Sequence, residues 1–142
     1  MPRFTSERSL RVRGELHRDL VEVVDSAIVQ VDFSLTDGMR DAHTQKRLFV
    51  DGASELDGVI RRSKHQVDDR FELSRAFDFV PLPFTNWDDR PLFTAYAYFF
   101  IGIGWEKGIE LTWGGDWDND FQWRDQSFHD LPHIELRGEK WR

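Results

Sequence analysis

Apolar residues recur at three- and four-residue spacing through residues 14–30, where Leu16, Leu20, Val23, Val24, Ala27 and Ile28 share one face. That period predicts an amphipathic helix. Residues 29–33 alternate apolar and polar side chains ahead of Thr36-Asp37-Gly38, a turn signal, so a short strand is expected there. A second helix is expected over residues 42–50, ending at Gly52. Residues 52–75 carry many charges and no sustained period, and read as a 24-residue connection of the kind that is usually functional or mobile. Ala76-Phe77-Asp78-Phe79-Val80 has a period of two and is closed by Pro81, which predicts a strand with Phe77 and Phe79 on one face and Ala76 and Asp78 on the other. Pro91 suits the first turn of a third helix over residues 91–100. Residues 109–113 and 133–136 read as further strands, separated by the glycine- and aspartate-rich residues 114–120. With no repeat, low-complexity tract or linker, the expectation is one domain over residues 1–142: an α+β fold with a small antiparallel sheet and about three helices packed around it.

Composition narrows the chemistry. The chain has 142 residues, enough for a single buried core, and its 12 Phe and 6 Trp argue against disorder. It has no cysteine, which excludes a disulfide framework, a thiolate metal site and a cysteine nucleophile, so any metal must be held by His, Asp or Glu. The longest largely apolar run, residues 93–105, has 13 residues against the roughly 20 that span a bilayer. No apolar segment follows the charges at the amino terminus, so the expectation is a monomer made in the cytoplasm without a secretory signal. A pI near 5.2 disfavours nucleic acid as a partner. The negative charge is local: residues 110–130 hold Glu110, Asp116, Asp118, Asp120, Asp125 and Asp130 against Arg124 alone.

Among the five histidines, His65 and His133 stand out by context. His65 ends the long connection, His133 opens the last strand, and Asp78 lies between them on the polar face of its own strand. Together they make a possible set of three zinc ligands, the number catalytic zinc sites commonly use. Asp130, three residues before His133, is then the natural candidate for the general base. The plain alternatives are a strand-end carboxylate for Asp78 and a turn residue for Asp130. Two other motifs are weaker. Asp116-x-Asp118-x-Asp120 begins like an EF-hand loop, but Phe121 stands at the glycine position and Ser127 at the bidentate glutamate position. His129 and His133 have helical zinc-site spacing, yet Pro132 between them argues against a helix, which leaves His129 as a rim residue.

Ser63-Lys64-His65, Ala76-Phe77-Asp78 and Asp130-Leu131-Pro132-His133-Ile134-Glu135-Leu136 resemble the motif blocks of the zinc-dependent peptidoglycan peptidases related to the D-Ala-D-Ala carboxypeptidases. The likeness is strongest to phage endolysins of the L-alanyl-D-glutamate peptidase type. Leu16-His17-Arg18-Asp19-Leu20, Gly38-Met39-Arg40 with Gln45, and Trp113-Gly114-Gly115-Asp116-Trp117 extend it in family order over residues 14–137. The resemblance implies a hedgehog/D-Ala-D-Ala-peptidase-like domain without a separate wall-binding domain. It implies zinc ligation by His65, Asp78 and His133, with Asp130 as base and Arg40 polarising or anchoring the substrate carbonyl. Ser63 is expected to orient the His65 loop or a substrate amide, and Trp117 or Trp123 to line a groove, while the remaining tryptophans are expected mostly in the core. The implied activity is hydrolysis of a peptidoglycan stem peptide between L-Ala and D-Glu, with lysis of a phage-infected bacterium as its setting and access to the wall only after release.

One spacing departs from the family. Twelve residues separate His65 from Asp78 where the family usually has about six, so Asp68 or Asp69 is an alternative second ligand. Asp78 is preferred for its strand context and the small Ala76 beside it. The plain reading of Arg40 is an ion pair with Asp37 or Asp41. The rival functions are a D,D-carboxypeptidase on the same scaffold and a non-catalytic wall-binding or phage structural module.

Overall fold

The computed structural model describes residues 3–52, 54, 56, 63–67, 72–122, 124 and 128–138. Among them run four helices, α1 (Glu7–Glu15), α2 (Arg18–Ile28), α3 (Ala42–Val50) and α4 (Arg90–Lys107), and four strands, β1 (Phe33–Asp37), β2 (Ala76–Pro81), β3 (Leu111–Trp113) and β4 (His133–Leu136). The strands form one antiparallel sheet in the order β1-β2-β4-β3. This is the expected α+β architecture with one helix more. None of the described helices is long and apolar enough to cross a membrane.

The additional helix, α1, carries little apolar surface and forms through its ends and its polar contacts. Ser6 caps it by accepting the Ser9 N–H at 3.0 Å, Glu7 favours its first turn, and Arg13 in its last turn holds both oxygens of Asp25 on α2 at 2.7 and 2.6 Å. Buried Ser9 accepts the Leu35 N–H at 3.1 Å and so ties α1 to β1. The break after α1 explains why the single expected helix over 14–30 is two. His17 caps α2 through its ring, accepting the Asp19 N–H at 3.0 Å, while its own N–H donates to the Ser74 carbonyl at 2.8 Å.

The strand expected over 29–33 instead begins at Phe33. Residues 29–31 finish the helix, with the Val31 N–H still bonded to the Ala27 carbonyl at 3.0 Å, and Phe33 and Leu35 are the inward positions. The first strand therefore runs through the Thr36-Asp37 turn signal. Helix α3 has the expected bounds, capped by Asp41 at the Thr44 N–H at 2.7 Å. Helix α4 has the expected proline start but continues seven residues beyond 100, past two glycines, to a left-handed stop at Gly108 with φ 73°. Gly104 is there for proximity: a Cβ would lie 2.4 Å from the Ile109 carbonyl oxygen where the chain turns back toward β3.

The core lies between one sheet face and the helices. Phe77 and Phe79 of β2, Ile134 of β4 and Phe33 of β1 are buried against Phe93, Ala97 and Phe100 of α4, with the apolar stripe of α2 completing it. Phe100 makes edge contacts with Phe33, Phe77 and Phe79 at ring-centroid distances of 5.0, 5.5 and 4.9 Å. The expectation that the tryptophans are mostly core is corrected: Trp113 is buried, but Trp87 and Trp105 are more than half exposed and Trp117 is half-buried. Trp87 sits on the loop before α4 and Trp105 on its outer face, positions that the aromatic content alone does not distinguish. Trp123 and Trp141 lie outside the described residues. Phe100→Ala should destabilise the protein by about 3–5 kcal/mol in urea unfolding; a loss below about 1 kcal/mol would show that this aromatic cluster is not the centre of the core.

Candidate metal and catalytic site

The polar face of the sheet is set by register. Asp78 of β2 lies directly opposite His133 of β4, and Ala76 opposite Glu135, so a period of two puts Asp78, His133 and Glu135 on the face away from Phe77 and Ile134. His65 arrives from the connection between α3 and β2. Backbone bonds fasten it there: the Arg40 N–H donates to the His65 carbonyl at 2.8 Å and the Val67 N–H to the Arg40 carbonyl at 3.1 Å. Ser63, buried, accepts the His65 N–H on its hydroxyl at 3.2 Å, which is the loop-orienting geometry expected of it.

Three ligand-type atoms converge. His65 Nε2 is 3.1 Å from His133 Nδ1 and 3.2 Å from Asp78 Oδ1, and His133 Nδ1 is 3.3 Å from the same oxygen. Tetrahedral ligands at about 2.0–2.1 Å from a common ion stand about 3.3 Å apart, so the triangle already has the size a metal requires. The opposite ring atoms decide the tautomers. His65 Nδ1 lies 2.7 Å from the Gly38 carbonyl, which can only accept, and therefore carries a proton. His133 Nε2 lies 2.9 Å from Glu135 Oε1 and donates in the same way. Glu135 is held in turn by buried Lys64 at 3.0 Å, whose ammonium also donates to the Leu136 carbonyl. Partners of this kind orient metal-binding histidines and raise their basicity. Asp68 and Asp69, the alternative second ligands, lie outside the described residues; among the described residues Asp78 is the carboxylate that meets both histidines.

The electrostatics follow from the convergence. Burial opposes charge on His133, but the hydrogen bonds it donates to Asp78 and Glu135 outweigh it and push the imidazole up to about 10. Glu135 resists burial through His133 and Lys64 and falls to about 2. Asp78 is driven far below the usual carboxylate range, burial being overcome by the charges and hydrogen bonds of His65 and His133. Asp130 moves the other way: burial raises it, against the pull of His133. Its Oδ2 lies 4.0 Å from His133 Nδ1 and its side chain is one-third exposed, beside the histidine pair and open to solvent.

The Trp-Gly-Gly-Asp segment after β3 supports Asp130. The Asp130 N–H donates to the Gly114 carbonyl at 2.9 Å, and a Cβ on Gly114 would lie 2.2 Å from the Asp130 carbonyl oxygen. A Cβ on Gly115 would strike the Trp113 ring at 2.4 Å. Trp117 is placed beside His133, ring centroids 5.4 Å apart, with its indole N–H bonded to the Phe128 carbonyl at 3.0 Å. Arg40 sits behind His65 with its guanidinium on Asp37 and on Gln45 Oε1, the latter at 2.6 Å. Asp116 of the EF-hand-like run accepts the Asp120 and Phe121 N–H groups at 3.2 and 2.9 Å and the Tyr98 hydroxyl at 2.8 Å, so it closes a turn. Lys64 and Gly38 lie in the motif blocks, but the pairing of Lys64 with Glu135 and of the Gly38 carbonyl with His65 carries no signal in the sequence. Glu135 carries one, since it lies two residues after His133 on the same strand.

In the metal-free protein His133 keeps its proton up to about pH 10, against 6.5 for an ordinary imidazole. Its contribution to stability is therefore complete below 6.5 and fades as pH rises through 10. A metal ion held by these three atoms would replace that proton, so its stabilisation would grow across the same window. At fixed free zinc, the rise in thermal midpoint should be larger at pH 8 than at pH 6; an equal or smaller rise at pH 8 would contradict the arrangement.

The comparisons with known proteins agree with the geometry. The chain matches the model of the phage L-alanyl-D-glutamate peptidase family over residues 2–137. No curated protein sequence matches it. Among solved structures it is similar to the L-Ala D-Glu endopeptidase ChiX of Serratia marcescens, with 26% identity, a TM-score of 0.69, and coverage of 93% of this chain and 88% of that one. The chain belongs to the phage L-alanyl-D-glutamate peptidase family and is a hydrolase, an endopeptidase acting on peptidoglycan.

Proposed function

We propose that this endopeptidase is a zinc enzyme whose ion is held by His65 Nε2, Asp78 Oδ1 and His133 Nδ1, with Asp130 as the general base. The observation that carries the reading is the triangle of these three atoms, 3.1–3.3 Å on a side, with the Asp130 carboxylate 4.0 Å from one corner. Two imidazoles and a carboxylate suit zinc, and the cysteine-free chain offers no softer donor. When bound, the ion supplies Lewis acidity toward the scissile carbonyl and toward water.

The chain's own groups perform the proton transfers and the positioning. Asp130 takes a proton from the attacking water and delivers it to the departing amine of D-Glu, and its raised pKa suits it to both steps. Arg40, whose backbone is bonded to His65, brings a guanidinium that Asp37 and Gln45 keep in place. A positive charge there favours the oxyanion that develops on the substrate carbonyl. Ser63 holds the His65 loop, and Trp117 forms a wall of the cleft beside His133.

His133→Ala should lose the metal. Asp130→Asn should keep it while kcat falls by at least about 100-fold, measured by metal content and by release of new D-Glu amino termini from purified sacculi. Full activity in Asp130→Asn would refute its role as base.

A further inference from the structure

A cavity of about 310 Å³ opens beside Asp130, lined in part by Trp87, Asp88, Arg90, His129, Asp130 and Pro132. We propose that it is a subsite for the amino-sugar ring to which the stem peptide is attached, deepening the endopeptidase assignment on which it rests.

The walls are fixed. The Pro132 carbonyl accepts the Phe79 N–H at 3.0 Å, the Leu131 carbonyl accepts the Trp113 indole N–H at 2.7 Å, and the Asp130 N–H is bonded to Gly114. Trp87 is 55% exposed yet supported from within. Its ring stacks on buried Phe93 at a centroid distance of 6.4 Å and an interplanar angle of 19°, and Phe84 meets it edge-on at 5.1 Å. The loop carrying it is tied by Thr85 to Asp89 at 2.6 Å and by the Asp88 N–H to Asn86 at 2.8 Å. An exposed indole braced in this way at the cavity wall is a platform for the C–H face of a pyranose.

Size and charge favour a sugar over the rest of the stem. The volume is at the lower end of the roughly 300–1,000 Å³ typical of ligand pockets, enough for one substituted ring and too little for a tripeptide. The polar groups at the rim include two carboxylates, Asp88 and Asp130, beside Arg90 and His129. They can accept from and donate to the hydroxyl and acetamido groups of a neutral ring, and carboxylates set beside a guanidinium favour a neutral ligand over a multiply charged one. Covalent order agrees. The lactyl group of the sugar is joined to the amine of L-Ala, whose carbonyl is the one attacked, so the sugar lies one residue from the reacting carbon. The cavity adjoins the site in the same way, since Asp130 lines it and also lies 4.0 Å from His133.

The test compares kcat/KM for an N-acetylmuramoyl tripeptide beginning L-Ala-D-Glu with that for the same tripeptide carrying only an N-acetyl group. Turnover of the acetylated peptide by the wild type reads the cleavage reaction itself, and the ratio of the two substrates reads the cavity. Wild type should prefer the muramoyl substrate by about tenfold, the size of a good aromatic contact. Trp87→Ala should reduce the ratio to near one, mainly through KM, while Trp87→Phe should keep most of it. A wild-type ratio near one, or an unchanged ratio in Trp87→Ala, would overturn the proposal.

Discussion

Three lone pairs aimed at one another constrain the rest of this protein. Gly38 and Glu135 fix the outer ring nitrogens of His65 and His133 as donors, which leaves both inner nitrogens as acceptors facing each other and an Asp78 oxygen. Such a cluster is repulsive until a cation enters it. In the metal-free protein that cation is a proton, which is why His133 is raised and Asp78 lowered so strongly. The fold must hold the triangle against its own repulsion, and it does so by placing each member on a different support. Asp78 and His133 are pinned by register between two central strands, and His65 by backbone bonds to Arg40.

The remainder of the structure keeps those supports rigid. The aromatic core under β2 and β4 sets the strand pair, with Phe77 and Ile134 filling the opposite face from Asp78 and His133. The Lys64–Glu135 pair is buried together with the site and completes the charge pattern behind His133. Gly114 and Gly115 allow the chain to pass close to Asp130 and Trp113, so that the carboxylate is presented at the edge of the triangle and is not drawn into it. Asp130 thereby stands between two spaces, the histidine face and the Trp87 cavity.

Much of this was legible in the chain because it depends on local pattern. The period of two around Asp78, the strand at His133, the bounds of α3 and the proline start of α4 follow from neighbouring residues, and the ordered motif blocks pointed to the three side chains that converge. What escaped depends on contacts distant in sequence. Helix α1 has few apolar residues and is held by Ser9 at Leu35 and by Arg13 at Asp25. The apolar residues 29 and 31 imitate the start of a strand, although they end a helix. Lys64 and the Gly38 carbonyl gain their meaning only from the pairing that brings residue 64 to 135 and residue 38 to 65. The long His65–Asp78 spacing does not take Asp78 out of reach of the histidines, because the strand register, not the loop length, positions it.

The central claim is that one ion is shared by His65 Nε2, Asp78 Oδ1 and His133 Nδ1. Anomalous diffraction at the zinc edge from crystals of the metal-loaded protein tests it most directly. The account predicts a single peak about 2.0–2.2 Å from all three atoms. A peak bound through His133 Nε2, or one that leaves Asp78 unliganded in favour of Asp68 or Asp69, would contradict it.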